Sequence, residues 1–141
     1  MIVYAESSAI VAWLFREPRG TEVEAVLAGA SHVFASDLTV VECSRAIHRA
    51  AATGRVDNAA ADAIRLKFTG AAASWDILRL LPSIAERAGA AFPNEPIRSL
   101  DAMHIAWALH AKGASAELCV LSLDERIRRV GSALGFKFKP D

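Results

Sequence analysis

Four acidic side chains lie at positions that a parallel sheet would bring together in one candidate site. Glu6 and Asp124 each follow an apolar, strand-like run, while Glu42 and Asp101 lie in the first two turns of predicted helices. In open parallel sheets, sites form beyond the carboxyl ends of the strands, so we expect the four carboxylates to meet at one sheet edge. Such a cluster repels itself unless a divalent cation neutralises it, and hard oxygen ligands suit Mg²⁺ or Mn²⁺. The pattern therefore predicts a magnesium or manganese site.

Each of these acids also has a purely structural interpretation. A carboxylate in the first turn of a helix complements the helix dipole, which contributes about 0.3–1 kcal/mol. Asp124 could cap the helix that follows it, and Asp37 is expected to cap its own helix. The convergence of four acids on one edge, rather than any single acid, is what favours a site.

The segments that must position these acids alternate between strands and helices. Apolar, β-branched runs predict four or five strands, at residues 2–4, 32–35, 77–81, 118–121 and, as a short edge strand, 136–138. Alanine-rich stretches with helical spacing lie between them, at residues 7–15, 21–27, 37–53, 57 onward, 82–91, 99–112 and 125–134. Asp57 and Ser99 are expected to cap their helices. The alternation predicts an α/β fold with a three-layer α/β/α architecture, a central mostly parallel sheet and a single domain over residues 1–141.

Length and composition exclude several classes of protein. The chain has 141 residues, of which 53% are hydrophobic and 23% charged, as in ordinary globular domains and unlike disordered chains. Basic and acidic residues number 16 each, so any polyanion must be held by a local patch or through a metal. The first residues lack a signal-peptide pattern, and the apolar stretches are too short for a membrane span. Cys43 and Cys119 lack a zinc-binding pattern and indicate buried thiols in a reducing cytoplasm.

The same acids carry a resemblance to a known family. Four segments match it in order: IVYAESSA at residues 2–9, SDLTVVE at 36–42, RSLDAMHIA at 98–106 and VLSLD at 120–124. The chain resembles PIN domains, specifically the VapC-like ribonuclease toxins of type II toxin–antitoxin modules. One position departs from the pattern: Glu6 stands where the family usually has an aspartate. Glutamate keeps the charge but reaches one methylene further.

The resemblance implies metal-dependent hydrolysis of RNA phosphodiester bonds. Glu6, Asp101 and Asp124 are then expected to hold Mg²⁺ or Mn²⁺ directly or through water. Glu42 would bind a second ion or orient the attacking water, and the sequence does not separate these roles. The resemblance also implies an RNA substrate, a cognate antitoxin and a homodimer.

Several polar side chains around the acids have two interpretations. Ser8 and Ser122 could donate hydrogen bonds that hold the carboxylates, or could serve as helix-cap and turn hydroxyls. His104 shares a helix face with Asp101, but a packed, hydrogen-bonded histidine is the favoured interpretation. Two basic groups could hold RNA phosphates or simply be solvated: Arg45, His48, Arg49 and Arg55, and Arg126, Arg128, Arg129, Lys137 and Lys139.

Apolar residues near the first helix end suggest a partner surface, and two other functions remain open. Trp13, Leu14 and Phe15 are expected to be exposed there and to contact the antitoxin or a second copy. A PIN-like module that binds RNA or protein without cleaving is one alternative, motivated by Glu6. A magnesium-binding receiver domain is the other, although Ser7 stands where that class needs a second acid.

Overall fold

A five-stranded, all-parallel sheet is the frame that positions the acids. The computed structural model describes residues 1–141. Its strands are β1 (Ile2–Ala5), β2 (His32–Ser36), β3 (Asp76–Leu78), β4 (Cys119–Leu121) and β5 (Lys137–Lys139). Its helices are α1 (Ser7–Leu14), α2 (Gly20–Gly29), α3 (Asp37–Ala52), α4 (Asn58–Ala72), α5 (Pro82–Gly89), α6 (Ser99–Lys112) and α7 (Glu125–Ala133). None of these helices has both the length and the apolar character that a membrane span requires.

The strand order places β1 in the middle of the sheet. The order is β3-β2-β1-β4-β5, so the chain builds one half outward from β1 and then returns to build the other half. Val3 pairs with Val33 on one side and with Cys119 on the other. A reversal of strand order of this kind opens a crevice at the carboxyl ends of the two strands that flank it. Here those strands are β1 and β4.

Two hydrophobic cores cover the two faces of the sheet. Side chains of a strand alternate between faces, and accordingly Val3 and Ala5 belong to one core and Tyr4 to the other. The first core is closed by α1, α2, α3 and α4, and the second by α5, α6 and α7. The predicted three-layer α/β/α fold is confirmed, with five strands in a fully parallel sheet.

Two helix starts differ from the prediction. Ser36, not Asp37, caps α3 by accepting a hydrogen bond from the Thr39 amide at 3.1 Å. Asp37 instead accepts hydrogen bonds from the Arg79 side chain and from the Leu80 amide. Because the Leu80 amide is no longer free for the sheet, β3 ends earlier than predicted. The cap of α6 is Arg98 rather than Ser99, and it makes no capping side-chain bond. The cap at Asp57 is confirmed.

The prediction of an exposed apolar surface at the end of α1 is wrong. Trp13 and Leu14 are buried, because α1 packs against α2, α3 and α4 and its last turn lies inside the first core. Phe15 is half-buried, and the Arg55 guanidinium lies 4.7 Å from the centre of its ring. Cys43 and Cys119 are both buried free thiols, as predicted.

Candidate active site

All four predicted acids line one cavity at the carboxyl edge of the sheet. The cavity has a volume of about 650 Å³. Glu6 enters it from the junction of β1 and α1, Glu42 from the second turn of α3, Asp101 from the first turn of α6 and Asp124 from the cap of α7. Each acid is therefore delivered by the end of a strand or the start of a helix.

Glu6 is held on several sides by hydroxyl and amide donors. It is 3% exposed and caps α1, accepting a bond from the Ser8 amide at 3.0 Å. The hydroxyl of Ser7 donates at 2.8 Å and that of Ser122 at 2.7 Å, and the Ser8 hydroxyl donates as well. Because Ser122 follows β4, its bond ties the two central strands together at the cavity floor.

Glu42 is fixed by a neighbouring helix. Its Oε1 accepts hydrogen bonds from His104 Nε2 at 2.6 Å and from the Ser7 hydroxyl at 2.9 Å. Its Oε2 has no hydrogen-bond partner in the protein and is free for a ligand. Burial raises the pKa of Glu42, but the bonds from His104 and Ser7 outweigh burial and hold the pKa below its ordinary value. The group is therefore ionised at neutral pH.

His104 is packed and hydrogen-bonded at both ring nitrogens, as the sequence indicated. It is 2% exposed, and its Nδ1 lies 3.0 Å from the Tyr4 hydroxyl. Tyr4 in turn donates to the Ser36 hydroxyl at 3.0 Å. Burial raises the pKa of Tyr4, so this hydroxyl stays protonated. A buried chain of hydrogen bonds thus runs from β2 through β1 and α6 to Glu42.

Arginines pair with the two remaining acids. Asp101 accepts from Arg98 Nε at 3.1 Å, and Arg126 Nε lies 3.7 Å from the same carboxylate. Arg126 also reaches Asp124 at 3.2 Å, so one guanidinium spans acids from two helices. Burial raises the pKa of Asp124, but the backbone amides of α7 and the Arg126 guanidinium outweigh it and the net pKa is lowered.

The donor set fits a hard divalent cation. Glu6, Glu42 and His104 each offer one ligand atom, and these atoms lie within 4.8 Å of one another. Asp101 and Asp124 line the same cavity, so carboxylate oxygens dominate, as Mg²⁺ and Mn²⁺ prefer. The expected repulsion is only partly offset: Arg98 and Arg126 pair with Asp101 and Asp124, while Glu6 and Glu42 receive hydrogen bonds from serines and His104 and have no Lys or Arg partner.

Sequence reasoning missed several residues that complete the site. Ser7 bridges Glu6 and Glu42, and its only signal was its position beside Glu6. Arg98 caps α6 three residues before Asp101, a spacing that permits a local ion pair. Arg126 lies only two residues after Asp124, a spacing that gives no such signal. Tyr4 gave no signal, because an aromatic residue in a buried strand is ordinary.

Of the basic residues suggested for RNA contact, few lie at the cavity. Arg45 and Arg49 line it, and Arg126 contacts its acids. Arg55 pairs with Glu17, and Arg128 donates to the carbonyl of Ser122 and to that of Pro140. Lys139 pairs with Asp141, so of the second basic group only Arg126 contacts the acids of the cavity.

Comparisons with known proteins identify the family and the fold. Residues 3–133 match the model of the PIN domain family, and no curated protein matches the sequence significantly. Crystal structures with the same fold include VapC20 of Mycobacterium tuberculosis, a sarcin–ricin loop cleaving toxin, with a TM-score of 0.66, 16% identity and 95% of each chain covered. VapBC2 of Rickettsia felis, bound to a DNA fragment from its promoter, has a TM-score of 0.66 and 10% identity, with 99% of this chain and 98% of that chain covered. PAE2754 of Pyrobaculum aerophilum has a TM-score of 0.60 and 18% identity, with 98% of this chain and 83% of that chain covered.

The family match extends over nearly the whole chain. It covers the segments that carry Glu6, Glu42, Asp101 and Asp124, and the structural neighbours share the architecture over nearly the whole chain. A receiver domain is therefore the wrong alternative. The chain belongs to the PIN domain family.

Proposed function

We propose that this protein is a metal-dependent endoribonuclease, a VapC-like toxin formed by one PIN domain over residues 1–141. The observation that carries the proposal is the convergence of Glu6, Glu42, Asp101 and Asp124 on one cavity at the switch point of a PIN fold. Two of the structural neighbours are a VapC toxin and a VapBC complex. The proposed substrate is RNA, the proposed cofactor is Mg²⁺ or Mn²⁺, and the proposed location is the cytoplasm.

The four acids would hold the cation. When bound, a divalent ion lowers the pKa of its water and stabilises charge on the leaving oxygen. Ser8 and Ser122 hold the carboxylate of Glu6 in place. The free Oε2 of Glu42 can accept a proton from the attacking water or orient it, while His104 holds Oε1.

An antitoxin is the proposed partner, and a homodimer the proposed assembly. A largely apolar groove of about 420 Å³ lies between the end of α1 and the start of α4, and Leu14, Phe15 and Ile64 line it. It is suited to an apolar segment of another protein. Leu66, also on α4, is 73% exposed and adds apolar surface on the same helix. A strictly monomeric elution of the chain at micromolar concentration would contradict the dimer.

Cleavage of RNA with and without EDTA tests the proposed activity. We expect cleavage in Mg²⁺ or Mn²⁺, none in EDTA, and loss of activity in Asp101→Asn. Asp62→Asn is a matched control, because Asp62 is an exposed acid on α4 that pairs only with Arg65. RNA binding with no cleavage under any metal would instead support the non-cleaving module, for which Glu6 in place of aspartate is the motive.

Growth of a bacterial host tests the toxin assignment. Expression without a partner is expected to arrest growth, because an uninhibited ribonuclease depletes an essential RNA. Asp101→Asn is expected to relieve the arrest and Asp62→Asn to preserve it. Equal toxicity of the wild type and Asp101→Asn, at equal soluble protein levels, would contradict a nuclease origin of the toxicity.

A further inference from the structure

Three fully buried hydroxyl groups lie behind the acids and take no part in the wall of the cavity. They belong to Tyr4, Ser36 and Thr39. Burial of a hydroxyl costs free energy that its hydrogen bonds must offset. The core to which Tyr4 belongs already contains buried phenylalanines, so an apolar ring would suit that place without this cost. A fully bonded buried hydroxyl rigidifies the groups that it contacts, and those groups are therefore informative.

The first contacts of these hydroxyls are with the helix that carries Glu42. Ser36 accepts a hydrogen bond from the Thr39 amide at 3.1 Å, and the Thr39 hydroxyl donates to the carbonyl of Ala5 at 3.0 Å. The first turn of α3 is thereby fastened to the end of β1, and Glu42 lies about one turn further along α3. Tyr4 joins the cluster by donating to the Ser36 hydroxyl at 3.0 Å.

Tyr4 also contacts the ring that holds Glu42. Its hydroxyl lies 3.0 Å from Nδ1 of His104, and Nε2 of the same ring donates to Glu42 at 2.6 Å. Half a turn of the ring about its Cβ–Cγ bond would put carbon atoms where the two nitrogens lie and would break both bonds. With the Tyr4 hydroxyl in place, the ring therefore has one orientation in which both nitrogens are bonded.

Glu42 depends on His104 more than on its other donor. Ser7 has a single hydroxyl proton and two carboxylate acceptors, Glu6 at 2.8 Å and Glu42 at 2.9 Å. Nε2 of His104 lies 3.7 Å from Oε1 of Glu6, which is beyond hydrogen-bond distance, so its proton serves Glu42. Because His104 holds Oε1 of Glu42, Oε2 is the oxygen that remains free for a cation.

We infer that Tyr4 is a positioning residue for the proposed metal site: it orients the ring of His104, which in turn presents Oε2 of Glu42 to the cation. Ser36 aligns Tyr4 with the start of α3. The inference rests on the proposed function and extends it to residues outside the cavity. Hydrogen-bond partners of metal ligands contribute about 10–100-fold to metal affinity. Since Tyr4 acts through His104, we expect a contribution of about tenfold, at the lower end of that range.

Proton NMR of the metal-free protein tests the orientation of the ring without any nuclease activity. A ring N–H that is buried and bonded to a carboxylate exchanges slowly with water, so its proton gives a separate downfield signal. His104→Asn assigns this signal by removing it. We expect the signal in the wild type and its loss in Tyr4→Phe, because a ring that is bonded only at Nε2 can leave its orientation.

Binding of Mn²⁺ without RNA tests the consequence for the site. Electron paramagnetic resonance of the free ion gives the dissociation constant. We expect Tyr4→Phe to raise this constant about tenfold. In a Glu42→Gln background, Tyr4→Phe is expected to cause no further change, because the residue through which it acts is already altered.

Ile84→Val is the matched control. Ile84 is buried on α5 in the same core as Tyr4 and does not line the cavity. Its loss of a buried methyl group is expected to lower the melting temperature. The ring signal and the dissociation constant of Mn²⁺ are expected to stay at their wild-type values, which separates a loss of positioning from a loss of stability.

The outcomes separate this inference from the proposed function. An unchanged ring signal in Tyr4→Phe would overturn its orienting role, and an effect on Mn²⁺ that persists in the Glu42→Gln background would overturn its action through Glu42. A wild type that binds Mn²⁺, with Tyr4→Phe equal to it, would overturn the inference and leave the nuclease intact. A wild type that binds no Mn²⁺, with the ring signal lost in Tyr4→Phe, would overturn the proposed metal site and support the orientation of His104 by Tyr4.

Discussion

The carboxylate of Glu6 shows how contacts can reverse an expectation based on charge alone. If repulsion among the four acids were the main effect, Glu6→Gln would leave the metal-free fold as stable as the wild type or slightly more stable. In the structure three serine hydroxyls and one amide donate to this buried carboxylate. A glutamine would turn an NH₂ group toward some of these donors and leave them unsatisfied.

We therefore expect Glu6→Gln to lower the free energy of unfolding of the metal-free protein by about 1–3 kcal/mol. Urea unfolding in EDTA measures the change. Glu86→Gln is the control, because Glu86 is an exposed acid on α5, and it is expected to change stability by less than about 0.5 kcal/mol. Equal stability of Glu6→Gln and the wild type would show that the serine bonds contribute little.

Cys43 gives a second prediction at the scale of a single residue. It is fully buried, and burial raises the pKa of its thiol, with the nearby Glu6 and Glu42 acting in the same direction. In Cys119→Ala protein, Cys43 is expected to resist a thiol reagent at pH 8 in buffer and to react rapidly in urea. Because the pKa of this thiol is higher in the folded state than in the unfolded state, the free energy of unfolding is highest below the ordinary thiol pKa of about 8.5. It falls as the pH rises above that value. Fast labelling of the folded protein at pH 8 would contradict this burial.

At the scale of elements, two glycines of α2 face different surroundings. A Cβ on Gly20 would lie 2.5 Å from the backbone oxygen of Ala12, whereas nothing lies within 4 Å of one on Gly29. We expect Gly20→Ala to destabilise the fold by about 1–3 kcal/mol, because the backbone of α1 cannot move aside as a side chain can. Gly29→Ala is expected to be neutral or to stabilise by up to about 1 kcal/mol. Thermal unfolding of both variants compares them, and equal melting temperatures would contradict the close approach of α1 and α2.

The sequence predicted which elements exist better than it predicted how they end and what covers them. Alternating apolar runs and alanine-rich helices define the sheet, and the order of the acids along the chain places all four at one edge. Helix caps were less predictable, because Ser36 and Asp37 are both good caps and tertiary bonds to Arg79 and Leu80 decided between them. The partners of the acids were missed where they come from distant segments, as with Arg126 and Asp101.

At the scale of the whole molecule, cation binding is expected to raise the stability of the fold. A ligand that binds only the native state adds about 2.7 kcal/mol at a concentration of one hundred times its dissociation constant. Mn²⁺ is therefore expected to raise the melting temperature by several degrees, and EDTA to reverse the rise. Asp101→Asn is expected to lose most of the shift and Asp62→Asn to keep it. A shift of the same size in both variants would place the ion elsewhere.

The bond between Ser122 and Glu6 joins residues that are 116 positions apart. During synthesis, Glu6, Ser7 and Ser8 leave the ribosome long before Ser122 and Asp124 exist. The nascent chain cannot pair β1 with β4, and so cannot close the cavity floor, until the segment through residue 124 has emerged. For a chain proposed to cut RNA in the cell that makes it, the long sequence separation acts as a delay. The ribosome has therefore translated the whole segment from Glu6 to Asp124 before the product is able to cleave.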